Sequence, residues 1–310
     1  MSSIHISNID LNSIMKVLLV TNKSNHHKYW VYKLYSKFDI VGICHPDSKP
    51  NRKILIRNLK KRGFIFSLLK FLSFFYHKFS KDSFTKKLSN YQNEFFSKAA
   101  NLYEAIPQDI IYTVDNINSD TSIKKAKELN PDVICFLGGD IVKKEFLSVA
   151  KIVTLNYHSG VSPFYNGSGT TFSAVADSRP NFCGGTLMTM NERIDGGAIL
   201  AHYLTPISET DDSSKLFLKG IRGAVKAYSL VLEHISKTAS APKGFTQGRS
   251  VKYCTSSEWT IYQDIKLSTF ESSGKMKKYV RDEKIISFLD RENNLYFPHY
   301  LETLNEMLKK

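Results

Sequence analysis

Three polar residues stand at the ends of apolar, strand-like runs and could act together on one small group. Asn156 and His158 close the run that begins at Ile152, and Asp195 lies in the turn after a second run at 185–190. In an extended strand, residues two apart project from the same face, so the amide and the imidazole share one side. Open α/β sheets bind their ligands beyond the strand ends. The spacing therefore predicts a site where an amide, an imidazole and a carboxylate converge.

The elements that must position these residues alternate between strands and helices. Strands are predicted at 15–22, 38–45, 109–113, 132–137, 152–156, 185–190 and 198–205, and helices at 28–37, 120–129, 142–149, 170–177 and 211–237. This order predicts an α/β fold, a Rossmann-like doubly wound and mostly parallel sheet. The first turn contains no glycine, so the glycine-rich dinucleotide fingerprint is absent.

The positive charge of the chain is concentrated in one segment. Residues 49–98 contain thirteen Lys and Arg and two acidic residues, a net charge of +11 out of +14 for all 310 residues. Within it, residues 64–79 are apolar over most of a helical circumference. The segment has three interpretations: a helical hairpin packed on the domain or on a second subunit in a homodimer, a helix on an anionic membrane surface, or a nucleic-acid contact. Confinement of the charge to this segment makes nucleic acid the least favoured partner.

Composition shifts along the chain predict its organisation. We expect an N-terminal extension at 1–14, a catalytic domain at 15–237 with a basic helical insertion at 49–101, and a small C-terminal α+β region at 238–310 that ends in a helix at 300–308. The first fourteen residues lack the apolar stretch of a signal peptide, and no apolar run is long enough to span a bilayer. The predicted location is cytoplasmic, or peripheral to a membrane through the insertion.

Two motifs resemble those of the formyltransferase family that uses 10-formyltetrahydrofolate. NYHSGVSPFYNG at 156–167 is similar to the family's N-x-H strand and the loop that follows it. Downstream, Gly184-Gly185-Thr186 and DGGAI at 195–199 are similar to its second pair of motifs. The family includes glycinamide-ribonucleotide, methionyl-tRNA and sugar-nucleotide formyltransferases. The resemblance covers residues 15–237 and implies 10-formyltetrahydrofolate as co-substrate, with no metal.

The resemblance also implies roles for the three polar residues. In this family an amine attacks the formyl carbon, and negative charge develops on the formyl oxygen. Asn156 and His158 would donate hydrogen bonds to that oxygen. Asp195 would stabilise a protonated imidazole by its charge and carry the proton of the amine.

Further site residues are carried over from the same motifs. The cofactor would contact the loop after the strand at 132–137 and the turn before Asp195, through Phe136, Gly138, Gly139, Ile141, Val142, Asn191 and Ile194. The acceptor would contact Ser162, Tyr165 and Gly167. Met188 stands where many members carry a second His, and we expect it to change the shape of the pocket rather than the chemistry.

The acceptor is predicted from regions outside the motifs. A glycine-free first turn argues against a ribonucleotide-phosphate loop, and the 73 residues from Thr238 are short for the barrel of methionyl-tRNA enzymes. The layout is most similar to sugar-nucleotide N-formyltransferases, which indicates an amino-sugar nucleotide used in surface polysaccharide synthesis. The alternatives are a methionyl-tRNA-type formyltransferase and a non-enzymatic protein that binds a membrane or a partner on this scaffold.

Overall fold

The computed structural model describes residues 15–47, 62–139, 141–289 and 302. These residues form ten strands: β1 (Lys16–Thr21), β2 (Asp39–Pro46), β3 (Ile111–Val114), β4 (Val133–Leu137), β5 (Val153–His158), β6 (Tyr165–Gly167), β7 (Gly184–Thr189), β8 (Ile199–Leu204), β9 (Lys252–Cys254) and β10 (Lys284–Ser287). Eight of them make one sheet in the order β10-β8-β7-β5-β4-β1-β2-β3, and β6 pairs with β9 in a second, small sheet.

The direction of the large sheet changes at β5. The five strands from β3 to β5 are parallel, whereas β7, β8 and β10 continue the sheet in antiparallel fashion. Asn156 of β5 therefore lies opposite Phe136 of β4 on one side and opposite Met188 of β7 on the other. The predicted α/β fold with a mostly parallel sheet is confirmed.

The described helices cover both faces of this sheet. They are α1 (Asn25–Tyr35), α2 (Phe64–Phe79), α3 (Phe84–Tyr103), α4 (Asp120–Leu129), α5 (Lys144–Leu147), α6 (Thr170–Ala176), α7 (Ser213–Thr238) and α8 (Ile261–Ser272), with short 3₁₀ turns at Gln108–Ile110, Pro180–Phe182 and Lys275–Tyr279. Helices α1 and α7 pack on one face and α4 and α5 on the other. Helix α3 packs against α1 and α7, and α2 packs against α8.

The apolar sequence of β1 follows from its central position. Val17 and Leu19 contribute to the core under α1 and α7, whereas Leu18 and Val20 contribute to the core under α4 and α5. A strand covered on both faces has no polar side, so its residues read as a continuous apolar run rather than an alternating one. The hydrophobic effect on both faces thus anchors the strand ends that carry the site.

The region after Thr238 contributes strands to both sheets. β10 pairs with β8 of the large sheet, and β9 pairs with β6. The domain boundaries predicted from composition stay predictions. The extension at 1–14, residues 49–61 of the insertion and, apart from Glu302, the helix expected at 300–308 lie outside the described residues.

A buried histidine fixes the loop that follows β5. His202 and Thr186 lie opposite each other on β8 and β7, and both are fully buried. The Thr186 hydroxyl donates to the carbonyl oxygen of Gly160 at 2.7 Å and accepts the backbone N–H of Ser162 at 2.9 Å. Since the hydroxyl proton is used, Nδ1 of His202 must be the donor in its 3.0 Å contact with Thr186. Burial lowers the pKa of His202 to about 3, which keeps the ring neutral in this role.

This arrangement predicts acid sensitivity. Between about pH 6.5 and pH 3 the unfolded chain binds a proton at His202 that the folded protein excludes, so stability is lost as the pH falls through this range. The contribution is about 1.4 kcal/mol of unfolding free energy per pH unit. His202→Asn retains a donor without a titrating ring, so its unfolding free energy, measured by urea denaturation, should fall less steeply below about pH 6.5. If the unfolding free energies of the wild type and of His202→Asn fell equally steeply with pH, His202 would not be the source of the acid sensitivity.

Candidate active site

The carboxyl end of β5 carries His158, which is 6% exposed and lies between two oxygen atoms. Its Nε2 is 2.9 Å from the carbonyl oxygen of Tyr165, and its Nδ1 is 3.4 Å from Oδ1 of Asp195. A carbonyl oxygen only accepts hydrogen bonds, so Nε2 carries a proton. An imidazolium would donate from both nitrogens, one to the carbonyl and one to the carboxylate. Each nitrogen of the His158 ring therefore faces an oxygen that can accept a hydrogen bond.

Asp195 lies in the loop between β7 and β8, in a left-handed backbone conformation with a φ of 50°. Its Oδ2 accepts the backbone N–H of Gly167 at 2.8 Å, and its carbonyl oxygen accepts from Nδ2 of Asn166 at 3.3 Å. One carboxylate oxygen is thus fixed while the other, Oδ1, faces His158. Burial and the charge of Asp195 raise the pKa of Tyr253, so the phenol beside this carboxylate stays protonated.

Asn156, His158 and Asp195 line one pocket of about 430 Å³. This volume lies in the range of small-molecule sites. All seven residues predicted to contact the cofactor also line this pocket: Phe136, Gly138, Gly139, Ile141, Val142, Asn191 and Ile194. Within the described ranges, no three His, Cys, Asp or Glu side chains are grouped as metal ligands.

The wall after β4 fits a flat heterocycle. Gly138 and Gly139 both have positive φ angles, 70° and 112°. A Cβ added at Gly139 would meet no atom within 4 Å, so the backbone here borders open space and its polar groups are accessible to a ligand. Phe136 and Val142 are buried apolar residues of the same wall. The pteridine ring of a folate has apolar faces and a polar edge. The apolar side chains of this wall fit the faces, and the exposed backbone groups fit the edge.

Among the three residues expected to bind the acceptor, Gly167 lines the pocket, whereas Tyr165 and Ser162 do not. The Tyr165 ring is buried, and its hydroxyl donates to Oδ2 of Asp177 at 3.0 Å. Ser162 is fully buried in the loop that Thr186 fixes. Both side chains are covered by protein and do not border the pocket, so their contact with an acceptor stays a prediction. Tyr165 contributes to the site through its carbonyl oxygen instead.

The structure adds His26 and His27, which were not predicted as site residues, to the pocket. The Thr21 hydroxyl donates to the carbonyl oxygen of Leu137 at 2.7 Å and therefore accepts from Nδ1 of His27. Burial lowers the pKa of His26 to about 4 and that of His27 well below its usual range, so both rings are neutral near pH 7. Nε2 of His27 is then a hydrogen-bond acceptor beside Gly138. The sequence does contain a signal for these two residues. They follow the first predicted strand, and the carboxyl ends of parallel strands meet at the edge of the sheet where ligands bind.

Met188 forms the wall next to Asn156. It is buried and directly opposite Asn156 across the β5–β7 ladder. Its sulfur atom is 3.7 Å from Nε2 of Gln247, which also donates to the carbonyl oxygen of Gly197 at 2.7 Å. The thioether thus occupies a wall position of the pocket and links it to the hairpin that carries Asp195.

Comparison with known families identifies the domain that contains this site. Residues 81–232 match the family model described as Formyl transferase, and this span includes Asn156, His158 and Asp195. This segment is therefore a formyltransferase domain.

The curated relatives include methionyl-tRNA formyltransferases. One from Borrelia garinii subsp. bavariensis is 30% identical over 179 residues, which are 56% of this chain and 55% of the relative. One from Levilactobacillus brevis is 29% identical over 117 residues, which are 37% of each protein. The matched regions thus span between about a third and just over half of these relatives.

Among solved structures, a sugar N-formyltransferase from Shewanella shares the fold. It has a TM-score of 0.51 and 15% identity, and the match covers 82% of this chain and 86% of that one. At 15% identity this similarity supports a shared fold and no statement about the substrate.

The close approach of Gly167 to Cys254 predicts a specific sensitivity to a methyl group. Gly167 has a φ of 92°, and an added Cβ would lie 2.0 Å from the carbonyl oxygen of Cys254. Gly169 has a φ of 69° with open space around it. Gly169→Ala should therefore cost only the left-handed strain of about 1–2 kcal/mol. Gly167→Ala should cost about 1–3 kcal/mol more, because β6 and β9 must separate. Chemical denaturation measures the loss of unfolding free energy in each variant. Equal losses in Gly167→Ala and Gly169→Ala would show that β6 and β9 do not approach closely at Gly167.

Proposed function

We propose that this protein transfers a formyl group from 10-formyltetrahydrofolate to a primary amine. The observation that carries the proposal is the convergence of Asn156, His158 and Asp195 on one pocket at the end of β5. Bound 10-formyltetrahydrofolate would supply the formyl group. The loop from Phe136 to Val142 would hold its ring system, and the turn with Asn191 and Ile194 would close the opposite side.

Asn156 and His158 would stabilise negative charge on an oxygen held between them. Both side chains come from the same face of β5, and both border the pocket. In a buried site, fixed N–H donors are worth more than in water, because they need no reorganisation as charge develops. The 3.4 Å contact between Nδ1 of His158 and Asp195 is longer than a strong charge-assisted hydrogen bond, so this N–H is the one available for sharing with a ligand.

Asp195 would take the proton that the attacking amine releases. Its Oδ2 is held by the N–H of Gly167, which leaves Oδ1 as the proton-accepting atom. The same oxygen lies beside His158, so the carboxylate supports the charged ring before it accepts a proton.

For the acceptor we propose an amino-sugar nucleotide. The pocket combines neutral His26 and His27 with Arg193 and the half-exposed ring of Tyr253, groups that suit sugar hydroxyls, phosphate and a stacked base. A second candidate, a methionyl-tRNA, is favoured by the identity of 29–30% to methionyl-tRNA formyltransferases and by the net charge of +14.

Removal of each reacting group should abolish turnover without unfolding the protein. Asn156→Ala, His158→Ala and Asp195→Asn should each lower kcat by at least about 10²-fold, since a positioned donor or acid–base group contributes that much. Asp120→Asn, the same change at an exposed carboxylate on α4, is the matched control and should retain activity. Tetrahydrofolate release measures turnover, and circular dichroism checks the fold. Wild-type rates in any of the three variants would refute the assigned roles.

An acceptor panel separates the two candidates. We expect tetrahydrofolate release with at least one of the dTDP-, UDP- or GDP-linked amino sugars, with kcat/KM at least about tenfold higher than with methionyl-tRNA, because a site specific for one acceptor discriminates by such factors. A higher kcat/KM with methionyl-tRNA than with every amino sugar would identify methionyl-tRNA as the acceptor. Failure of every amine would count against formyl transfer itself.

A further inference from the structure

Helix α2 presents its polar side to the protein. Nζ of Lys70 donates to the carbonyl oxygens of Ser256 and Trp259 at 2.7 and 2.6 Å. The hydroxyl of Ser73 donates to Oδ2 of the buried Asp264 at 2.5 Å, and Nε2 of His77 lies 3.1 Å from Oδ1 of the same carboxylate. These polar residues follow each other at helical spacing, so one whole side of α2 is anchored by hydrogen bonds.

The apolar side of α2 faces outward instead. Large apolar side chains recur at spacings of three and four residues and are exposed, from 39% at Phe75 to 81% at Phe64. We call this surface the aromatic face; it consists of Phe64, Ile65, Leu68, Phe71, Leu72, Phe74, Phe75 and Phe79. Its rings also touch one another, with centroids 4.5 Å apart for Phe71 and Phe75 and 5.7 Å apart for Phe75 and Phe79. An amphipathic helix in water normally has the opposite orientation. A contiguous patch of this kind marks an interaction surface.

The charge of the sequence that contains the aromatic face indicates what covers this face. From Lys49 to Lys81 the sequence has ten Lys and Arg and no Asp or Glu. At the C-terminal end of α2, Nζ of Lys78 lies 5.4 Å from the centroid of the Phe79 ring. Two copies packed through this face would bring two strongly basic segments together, which is unfavourable. An anionic bilayer offers an apolar layer for the rings and phosphates for the cations.

We propose that the aromatic face docks on an anionic membrane surface, with α2 lying in the plane of the lipid headgroups. In the part of the chain that the structure describes, no helix is both long and apolar enough to cross a membrane. Docking would also bring the pocket close to the lipid, because Ser256, which binds Lys70, directly follows the pocket residue Thr255.

Flotation of the full chain with vesicles tests this proposal. Vesicles of phosphatidylcholine with phosphatidylserine should carry the protein at about 50 mM salt and release most of it at about 500 mM, because salt screens the lysines. Vesicles of phosphatidylcholine alone should carry at least tenfold less. Phe71→Gln with Phe75→Gln should lower binding to the anionic vesicles by at least about tenfold, because burial of the rings is lost. Leu102→Ser with Val280→Ser, two exposed apolar residues outside the aromatic face, is the matched control and should bind as wild type.

Each other outcome overturns the proposal. If the protein does not float with anionic vesicles, a membrane does not cover the aromatic face. Equal flotation of the Phe71→Gln, Phe75→Gln variant assigns binding to the basic run without the aromatic face. Lipid-free sedimentation that shows a dimer, lost only in the Phe71→Gln, Phe75→Gln variant, assigns the face to a second copy of the chain. Formyl transfer in solution is a separate measurement, so failure of either proposal leaves the other intact.

Discussion

The site depends on the position of one imidazole between two fixed oxygens. His158 contacts the carbonyl oxygen of Tyr165 at 2.9 Å and Oδ1 of Asp195 at 3.4 Å. Both partners are held by the same short strand, because β6 runs from Tyr165 to Gly167 and the N–H of Gly167 binds the other oxygen of Asp195. Three residues of β6 therefore set both sides of the imidazole. A shift of this strand would disturb the ring and the carboxylate together.

The position of β6 in turn depends on the C-terminal region. β6 pairs with β9, and the backbones approach so closely at Gly167 and Cys254 that only a glycine fits. Lys252 of β9 and the hydroxyl of Tyr165 also share Oδ2 of Asp177, at 2.5 and 3.0 Å. A segment that looks accessory from its composition thus supports the reacting groups. Residues 252–255 thus contribute to the site twice, through the backbone pairing of β9 with β6 and through Tyr253, Cys254 and Thr255, which line the pocket.

Helix α2 turns its polar side, rather than its apolar side, toward the protein. By contrast, α1 and α7 bury their apolar faces on the sheet. In α2 the buried carboxylate of Asp264 binds Ser73 and His77, and a buried charge with such partners is costly to separate from them. The polar side is therefore held inward, and the aromatic side remains outward. The contacts of Ser73 and His77 with Asp264, together with the hydrogen bonds of Lys70, thus hold the polar side of the helix against the protein.

The sequence by itself determined the order of strands and helices, because apolar periodicity is a local property that covers each element in turn. It also determined that Asn156 and His158 share one face of a strand, because of their spacing, and that Asp195 lies in a turn, because Gly196 and Gly197 follow it. Most elements begin and end within a few residues of their predicted bounds, although the helix expected at 142–149 shortens to Lys144–Leu147 and the strand expected at 152–156 extends to His158.

The tertiary structure decided which surfaces are covered. It buried Tyr165 and Ser162, which the family resemblance had assigned to the acceptor, and it brought His26 and His27 into the pocket from the end of β1. It also turned the apolar side of α2 outward. These outcomes depend on residues far away in the chain, such as Asp264 for α2 and β9 for β6. Periodicity shows that a helix has an apolar side, but only the partner packed against it decides which side faces the protein.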